Sequence, residues 1–501
     1  MIPEYIVVQA GGKGARLQHL TRNKPKALVP VDNLPMLFHL FRKYPDSKYI
    51  VIGDYKFDVL ERYLAAFGET ACSLVNASGH TGTCAGMREA FSRVPEGKPF
   101  LVIWSDLVLP DAFVLPEAPG DYVGVAKDFP CRWSFAEGVF TEERSDTQGV
   151  AGLFLFRDAA ALAEVPEDGE FVHWLSESGR SFRELPLYRT KEYGLLAEYE
   201  KLETTRCRPF NRIEREGELL VKQPIDTQGA ALAAREKAWY RTVAGLGFSA
   251  IPHIASYDPL KREYIDGAPV YETTGLNPRE KRQILRELID SLKRLHRLAE
   301  SPADRASYEE AYIGKTFKRL EKVRELVPFA KDTYITVNGR RCRNVFDRKT
   351  ELCEAFARDL PQSFCLIHGD CTFSNIMLRR DRTPVLIDPR GYFGFTELYG
   401  DPAYDWAKLY YSLAGNYDTF NRKHFSLDIG ERDVRLEIAS NGWEDLEQDF
   451  FALLDGEAEP AQIKLIHAVI WLSLTTYAWE NYDSVCGAFY NGLTYLEEAL
   501  T

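Results

Sequence analysis

Short apolar runs alternate with helix-patterned stretches across residues 5–104, and no other feature narrows the fold as far. Tyr5–Gln9 reads as a strand, followed by a glycine loop and a helix over 35–43. A second strand spans 49–53, with a helix over Phe57–Phe67 behind it. A third, Phe100–Trp104, follows a helical stretch over 85–92. Strands alternating with helices build βαβ units, and so a mostly parallel, Rossmann-like α/β sheet. Such sheets bind ligands beyond the carboxyl ends of their strands. Gly11, Gly12 and Gly14 follow the first strand and Ser105 and Asp106 the third, so both segments belong at that edge.

The pattern changes near residue 205. The stretch FNRIEREGELLVKQP (210–224) reads as two antiparallel strands joined by a polar turn. Helices then dominate, over 279–298, 309–326 and 349–360, interrupted by a hairpin that Asn338-Gly339 marks out. A chain of 501 residues is long enough for about three domains or two generous ones. We expect an α/β domain over 1–205 and an α+β domain over 206–501.

Charge and composition narrow the partners. Lysine and arginine number 62 against 74 acidic residues, a net charge of −12. A chain this acidic is a poor general binder of nucleic acid or anionic membrane, which leaves small molecules as the expected partners. The nine cysteines include no CxxC pair, so neither a zinc site nor a disulfide framework is indicated. Reduced thiols in a cytoplasmic protein are expected. The opening MIPEYIVVQAGG has neither the basic run nor the cleavage site of a signal peptide. The most apolar late stretch, 463–479, is broken by Lys464 and His467. It falls short of the roughly 20 apolar residues a bilayer span needs, so a buried helix and no membrane insertion are expected.

The first constellation is AGGKGARLQHLTRNKPKALVPV, placed directly after the first strand. Glycines let backbone amides approach a polyphosphate closely, while Lys13, Arg16 and Lys26 add cations. The segment resembles the GGxGxRLxxLTxxxPKxLxPV motif of nucleotidyltransferases that join a phosphorylated metabolite to an NTP and release pyrophosphate. That resemblance implies a nucleotidyltransferase fold in which Gly11, Gly12, Gly14 and Arg16 hold the triphosphate. Lys26 would then neutralise charge as the substrate phosphate attacks the α-phosphorus. The run GHTGTCAG, with Gly79, Gly82 and Thr83, is similar to the family segment near base and sugar. Asp106 in LVIWSDLVL and Glu192 in KEYGLLAEYEKL match the family's two acidic positions, which implies that they hold Mg²⁺.

The second constellation is LIHGDCTFSNIMLRRDRTPVLIDPRG. Two apolar strands each end in polar groups, the first in His368 and Asp370 with Asn375 five residues on, the second in Asp388. A carboxylate for a substrate hydroxyl, with an Asn and an Asp for Mg²⁺, are parts that phosphoryl transfer requires. The spacing resembles the HGDxxxxN…IDP pattern of the aminoglycoside phosphotransferase and choline kinase superfamily, which implies a protein-kinase-like fold. It further implies that Asp370 is catalytic, that Asn375 and Asp388 hold metal, and that Lys222 pairs with ATP phosphates. Glu236 on the following helix is placed to orient Lys222. The loop 211–217 lacks a clean GxGxxG, and REYIDGAPV fits the hinge between lobes. Asp401 and Asp405 read as helix caps.

Two transferase modules in one chain imply consecutive steps. The kinase would phosphorylate a hydroxyl of a small metabolite with ATP, and the first domain would join that phosphate to a second NTP (CTP, UTP or GTP). The expected product is an NDP-linked precursor for cell-surface glycan, with a sugar or polyol favoured as acceptor and Mg²⁺ at both sites. Choline or ethanolamine, activated by a kinase and a cytidylyltransferase, is the alternative, with Trp133 and Trp174 as candidates for an aromatic cage. A non-catalytic scaffold is disfavoured because Asp106, Asp370, Asn375 and Asp388 are all present. No oligomeric state is implied.

Overall fold

The computed structural model describes residues 2–202, 211–225 and 227–501. The chain separates into two compact units, Met1–Thr205 with Trp479–Tyr482, and Arg206–Ala478 with Asp483–Thr501. The expected 205/206 boundary and Cys207 lie outside the described residues.

In the first unit, Tyr5–Gln9 is at the centre of a nine-stranded sheet. It pairs in parallel with Lys48–Gly53 on one side and Phe100–Trp104 on the other, and Cys72–Asn76 extends the parallel run. Gly149–Phe156 lies antiparallel to Phe100–Trp104 and makes the sheet mixed. Ile6, Val7 and Val8 are fully buried, as expected of a central strand covered on both faces. The helix Phe57–Phe67 buries Val59, Leu60, Tyr63, Leu64 and Phe67, a single stripe at helical spacing. The helix expected over 85–92 begins only at Met87, because Gly86 takes a left-handed φ of 76°. This arrangement brings Gln9 and Trp104 to one edge of the sheet, next to each other in register.

The second unit begins with a four-stranded antiparallel sheet ordered Asn211–Glu216, Leu219–Pro224, Leu260–Glu263, Ile254–Tyr257. Helix Thr227–Gly245 follows its second strand. Beyond Glu263 the chain crosses to a three-stranded sheet, where Gly267–Pro269 pairs with Ile376–Arg379 and that strand with Pro384–Leu386. Helix Pro278–His296 starts where its sequence says it should: Asn277 and Glu280 form a capping box, and proline occupies the first turn. The single helix expected over 309–326 is instead interrupted. Arg305–Glu309 and Lys315–Val323 are separated by a π-helical turn, Glu310–Gly314, whose wider winding shifts the helix face presented after it.

The hairpin Tyr334–Val337/Arg340–Arg343 turns through Asn338 and Gly339, both at positive φ. Helix Pro460–Leu474 is buried on most of its faces and ends before the expected 479. No helix among the described residues is long and apolar enough to cross a membrane.

Candidate active sites

The N-terminal site is assembled around the edge where the first strand ends. Gln9 ties its two glycine-rich segments together. Its Oε1 accepts from Gly11 N at 3.1 Å, and its Nε2 donates to the carbonyls of Thr83 (3.0 Å) and Ala85 (3.3 Å). Gly14, at φ 63°, opens the 3-10 helix Ala15–Thr21, and a Cβ there would stand 3.1 Å from Lys26 Cβ. The missing side chain lets Lys26 close over the loop. Lys26 Nζ bonds directly to Asp106 Oδ2, and both side chains are largely buried.

Glu192 reaches the same place by a short ladder in which it stands opposite Leu107, while Tyr193 N donates to Asp106 O at 3.1 Å. Arg16 Nη2 lies 3.8 Å from Glu192 Oε1. Burial, and next the Asp106 carboxylate, push Glu192 up to about 7 against the pull of Lys26 and Arg16. Two oxygen donors that repel each other at the end of a strand suit a hard divalent ion that keeps several waters and phosphate ligands. No cluster of three or more His, Cys, Asp or Glu that could hold a metal occurs among the described residues.

Gly82 and Thr83 are backed by residues 168–171. Thr83 Oγ1 accepts from Phe171 N at 2.8 Å, and a Cβ on Gly82, whose φ is 84°, would stand 2.2 Å from Gly169 O. A side chain there collides with backbone and carries a disfavoured φ as well. Gly82→Ala is therefore expected to destabilise the protein by about 2 kcal/mol or more, read by urea denaturation. An unchanged midpoint would show that this loop yields freely.

The C-terminal site carries two linked charge clusters. Lys222 Nζ lies 2.8 Å from Glu236 Oε2 and 2.9 Å from Asp388 Oδ1, and Arg262 Nη2 is 3.7 Å from the same Asp388 oxygen. Burial opposes the Lys222 charge, but Asp388 and Glu236 outweigh it and hold its pKa above the usual lysine range. Burial pushes Glu236 up to about 7 against the pull of Lys222. Burial also resists the Asp388 charge, yet Lys222 and Arg262 keep that carboxyl well below its ordinary range. Asp388 adopts φ 54°, uncommon for a non-glycine residue, with its N–H donating to Tyr240 OH at 3.2 Å.

Asp370 and Asn375 form the second cluster. Asn375 Nδ2 donates to Asp370 O (2.8 Å) and Oδ2 (3.0 Å), which leaves Asn375 Oδ1 as the atom suited to a cation. Lys408 Nζ is 3.0 Å from Asp370 Oδ1. Burial works against the Asp370 charge, but Lys408 and then Arg390 and His368 hold the carboxyl below its ordinary range. It is thus a carboxylate at neutral pH, able to accept a proton.

The cap reading holds for one aspartate and fails for the other. Asp401 does cap helix Pro402–Leu413, accepting from Ala403 N at 3.0 Å and from Tyr312 OH at 2.8 Å. Asp405 lies inside that helix and holds the loop carrying Asp370. It accepts from His368 N (2.8 Å) and Gly369 N (2.7 Å), and His296 Nε2 is 3.1 Å from its Oδ2. Asp405→Ala strands two buried donors, at an expected cost of about 3 kcal/mol. Phosphorylation should slow with it, whereas Asp405→Asn, which keeps one acceptor, should recover part of both in unfolding and initial-rate measurements. Equal stability of the Ala variant would contradict this role.

Trp133 belongs to the core of the first unit, and Trp174 packs against that core, stacked on Phe171 at 5.7 Å. The sequence reading missed Gln9, Arg262 and Lys408. Arg262 stands within the quoted segment REYIDGAPV, and a cation beside each proposed metal-site or catalytic carboxylate would have singled out both Arg262 and Lys408.

Residues 6–117 match the model of the MobA-like NTP transferase domain, and residues 208–433 that of the phosphotransferase enzyme family. The chain is 30% identical over 201 residues to a glucose-1-phosphate thymidylyltransferase of Streptomyces griseus, covering 38% of this chain and 48% of the relative. It is 44% identical over 57 residues to a UTP–glucose-1-phosphate uridylyltransferase of Haloferax volcanii, covering 11% and 24%. The chain thus spans half or less of the length of these curated relatives. Among solved structures, the inositol-1-phosphate CTP transferase from T. maritima is similar with 16% identity and a TM-score of 0.33, over 40% of this chain and 92% of that one. One chain thus carries a segment that matches a MobA-like NTP transferase domain, followed by a segment that matches the phosphotransferase enzyme family.

Proposed function

We propose that the protein is a bifunctional enzyme that phosphorylates a hydroxyl of a sugar or polyol with ATP and then couples the new phosphate to a second nucleotide. The observation that supports this reading is the pair of charged clusters, Lys26–Asp106–Glu192 in one unit and Lys222–Glu236–Asp388 with Asp370–Asn375 in the other.

In the first step the acceptor oxygen attacks the γ-phosphorus of ATP. The bond to the β–γ bridging oxygen breaks, ADP leaves, and the hydroxyl proton passes to the Asp370 carboxylate. Lys222, oriented by Glu236, steadies the ATP phosphates. In the second step the acceptor phosphate, already an anionic nucleophile, attacks the α-phosphorus of the second NTP, and pyrophosphate leaves. Here the amides of the Gly11–Gly12–Gly14 loop and the Arg16 side chain hold the triphosphate, and Lys26 offsets the charge that gathers between the two phosphates. Divalent cations held by Asp106 and Glu192, and by Asn375 and Asp388, would supply further neutralisation of phosphate charge when bound.

A sugar phosphate is favoured over phosphocholine because both curated relatives are named for glucose-1-phosphate. Their names also favour UTP or dTTP over CTP and GTP as the second nucleotide. An NDP-linked product of this kind is a precursor for surface glycan, made where ATP and NTPs are present, in the cytoplasm. The test is a mass-spectrometric screen of pooled sugars and amino alcohols with ATP and each NTP. Products bearing first a phosphoryl and then a nucleotidyl group support the reading. A nucleotidyl product formed from unphosphorylated acceptor with no ATP present contradicts it.

A further inference from the structure

Three cations near Asp370 make no ion pair among the described residues. Arg390 donates from Nη1 to Tyr404 OH and from Nη2 to Tyr392 OH, both at 2.9 Å. Arg319 donates from Nη1 to the Ser473 carbonyl at 2.7 Å and to its hydroxyl at 3.0 Å. Lys315 makes no hydrogen bond or ion pair among the described residues, and its Nζ lies 5.8 Å from the centre of the Tyr404 ring. The fourth cation, Lys408, is 6.0 Å from the same ring centre and 3.0 Å from Asp370. One buried tyrosine ring is therefore flanked by Lys315, Lys408 and Arg390.

The cations come from three parts of the chain. Lys315 and Arg319 are one turn apart, hence on one face, of the helix that starts directly after the π-helical turn Glu310–Gly314. Such turns are frequent at functional sites. Arg390 follows the Asp388 strand, and Lys408 is in the helix that fixes the Asp370 loop. Burial, then Arg390, Arg319 and Lys408, hold the Lys315 ammonium well below the usual lysine range, with Glu310 pulling the other way. The acidic groups facing the cluster are Glu310 and Asp370, and Asp370 is already paired with Lys408. Half-buried cations held together with so few counter-charges oppose folding unless an anion joins them.

The geometry points to a kinase acceptor that is itself an anion, a sugar or polyol carrying a phosphate or carboxylate that rests on Lys315, Arg319 and Arg390 while its free hydroxyl faces Asp370. This rests on the kinase reading above and names its substrate class. The transfer is unchanged: the acceptor oxygen bonds to the γ-phosphorus, ADP leaves, and Asp370 takes the proton. A quaternary ammonium acceptor would be repelled.

The test uses the full chain with Mg²⁺ and a non-hydrolysable ATP analogue, titrated calorimetrically with glucose, glucose 6-phosphate, glucuronate and choline. Glucose 6-phosphate or glucuronate should bind more tightly than glucose, the first marking a phosphate and the second a carboxylate as the acidic group. The Lys315→Gln/Arg319→Gln double variant should weaken that binding by about tenfold or more, while Arg319→Lys retains most of it. Because the N-terminal domain also takes sugar phosphates, only the part lost in the double variant counts for this cluster. Equal binding of glucose and its anions, tighter binding of choline, or a preference that survives the double variant overturns the proposal. So does a raised KM for ATP with the acceptor KM unmoved, which would assign the cations to the transferring phosphoryl group. Anion binding that depends on the cluster but is never followed by ATP-dependent transfer supports the anion site and counts against the kinase reading alone.

Discussion

The Asp370→Asn variant is expected to lose phosphoryl transfer by a factor of about 10³ or more, with ATP affinity changed by no more than about twofold. Asparagine keeps the shape and can still meet Asn375, but it cannot accept the hydroxyl proton, and it removes the charge that pairs with Lys408 at 3.0 Å. The nucleotide side of the site, Lys222, Glu236 and Asp388, makes its contacts without Asp370. Asp388→Ala should behave differently: it leaves Lys222 with Glu236 alone and takes the carboxylate from beside Arg262, and so should weaken Mg²⁺-dependent ATP binding as well as turnover. Initial rates with calorimetric ATP binding separate the two. Equal loss of ATP binding in both variants would contradict the assigned roles. Since Asp370 is held below the ordinary carboxylate range, the wild-type kinase should not lose activity through its protonation until pH falls past that range.

Lys26→Ala should lower pyrophosphate release from a supplied sugar 1-phosphate and NTP by about 10²–10³, and leave ATP-dependent phosphorylation intact. Its ammonium is largely buried against Asp106 and within reach of Glu192, whose pKa it helps to pull down. Removing it leaves the Asp106 and Glu192 carboxyls facing each other with only Arg16, 3.8 Å from Glu192, to offset them, so the loss extends beyond one contact. Asp106→Ala should be as damaging for the opposite reason, a bare lysine and a lost oxygen donor. Coupled pyrophosphate assays on folded variants check both. Loss of kinase activity in either one would contradict separate sites.

Parts of this arrangement were legible because they are local. Gly11, Gly12 and Gly14 directly follow a strand, and the spacing of Asp370, Asn375 and Asp388 is fixed by two short strands and the loop between them. The Lys222–Glu236 pair could be anticipated from a strand followed by a helix. Other contacts rest on long-range packing that no periodicity announces. Glu192 meets Asp106 through strands of two residues each, too short to give a pattern. Lys408 reaches Asp370 from a helix whose role became visible only when Asp405 proved to hold the loop. The π-helical turn was invisible because its residues, EAYIG, suit an α-helix almost as well.

The order of the two steps is tested most directly by following one phosphorus atom. The full chain, supplied with γ-labelled ATP, an unlabelled second NTP and a turned-over acceptor, should place the label in the NDP-linked product, in the phosphate next to the acceptor. The pyrophosphate should be unlabelled, because it derives from the β- and γ-phosphates of the second NTP. The same label should appear in acceptor phosphate alone when Lys26 is replaced, and in neither when Asp370 is. Label in pyrophosphate, or an unlabelled NDP-linked product formed while ATP is consumed, would contradict the kinase-then-nucleotidyltransferase account.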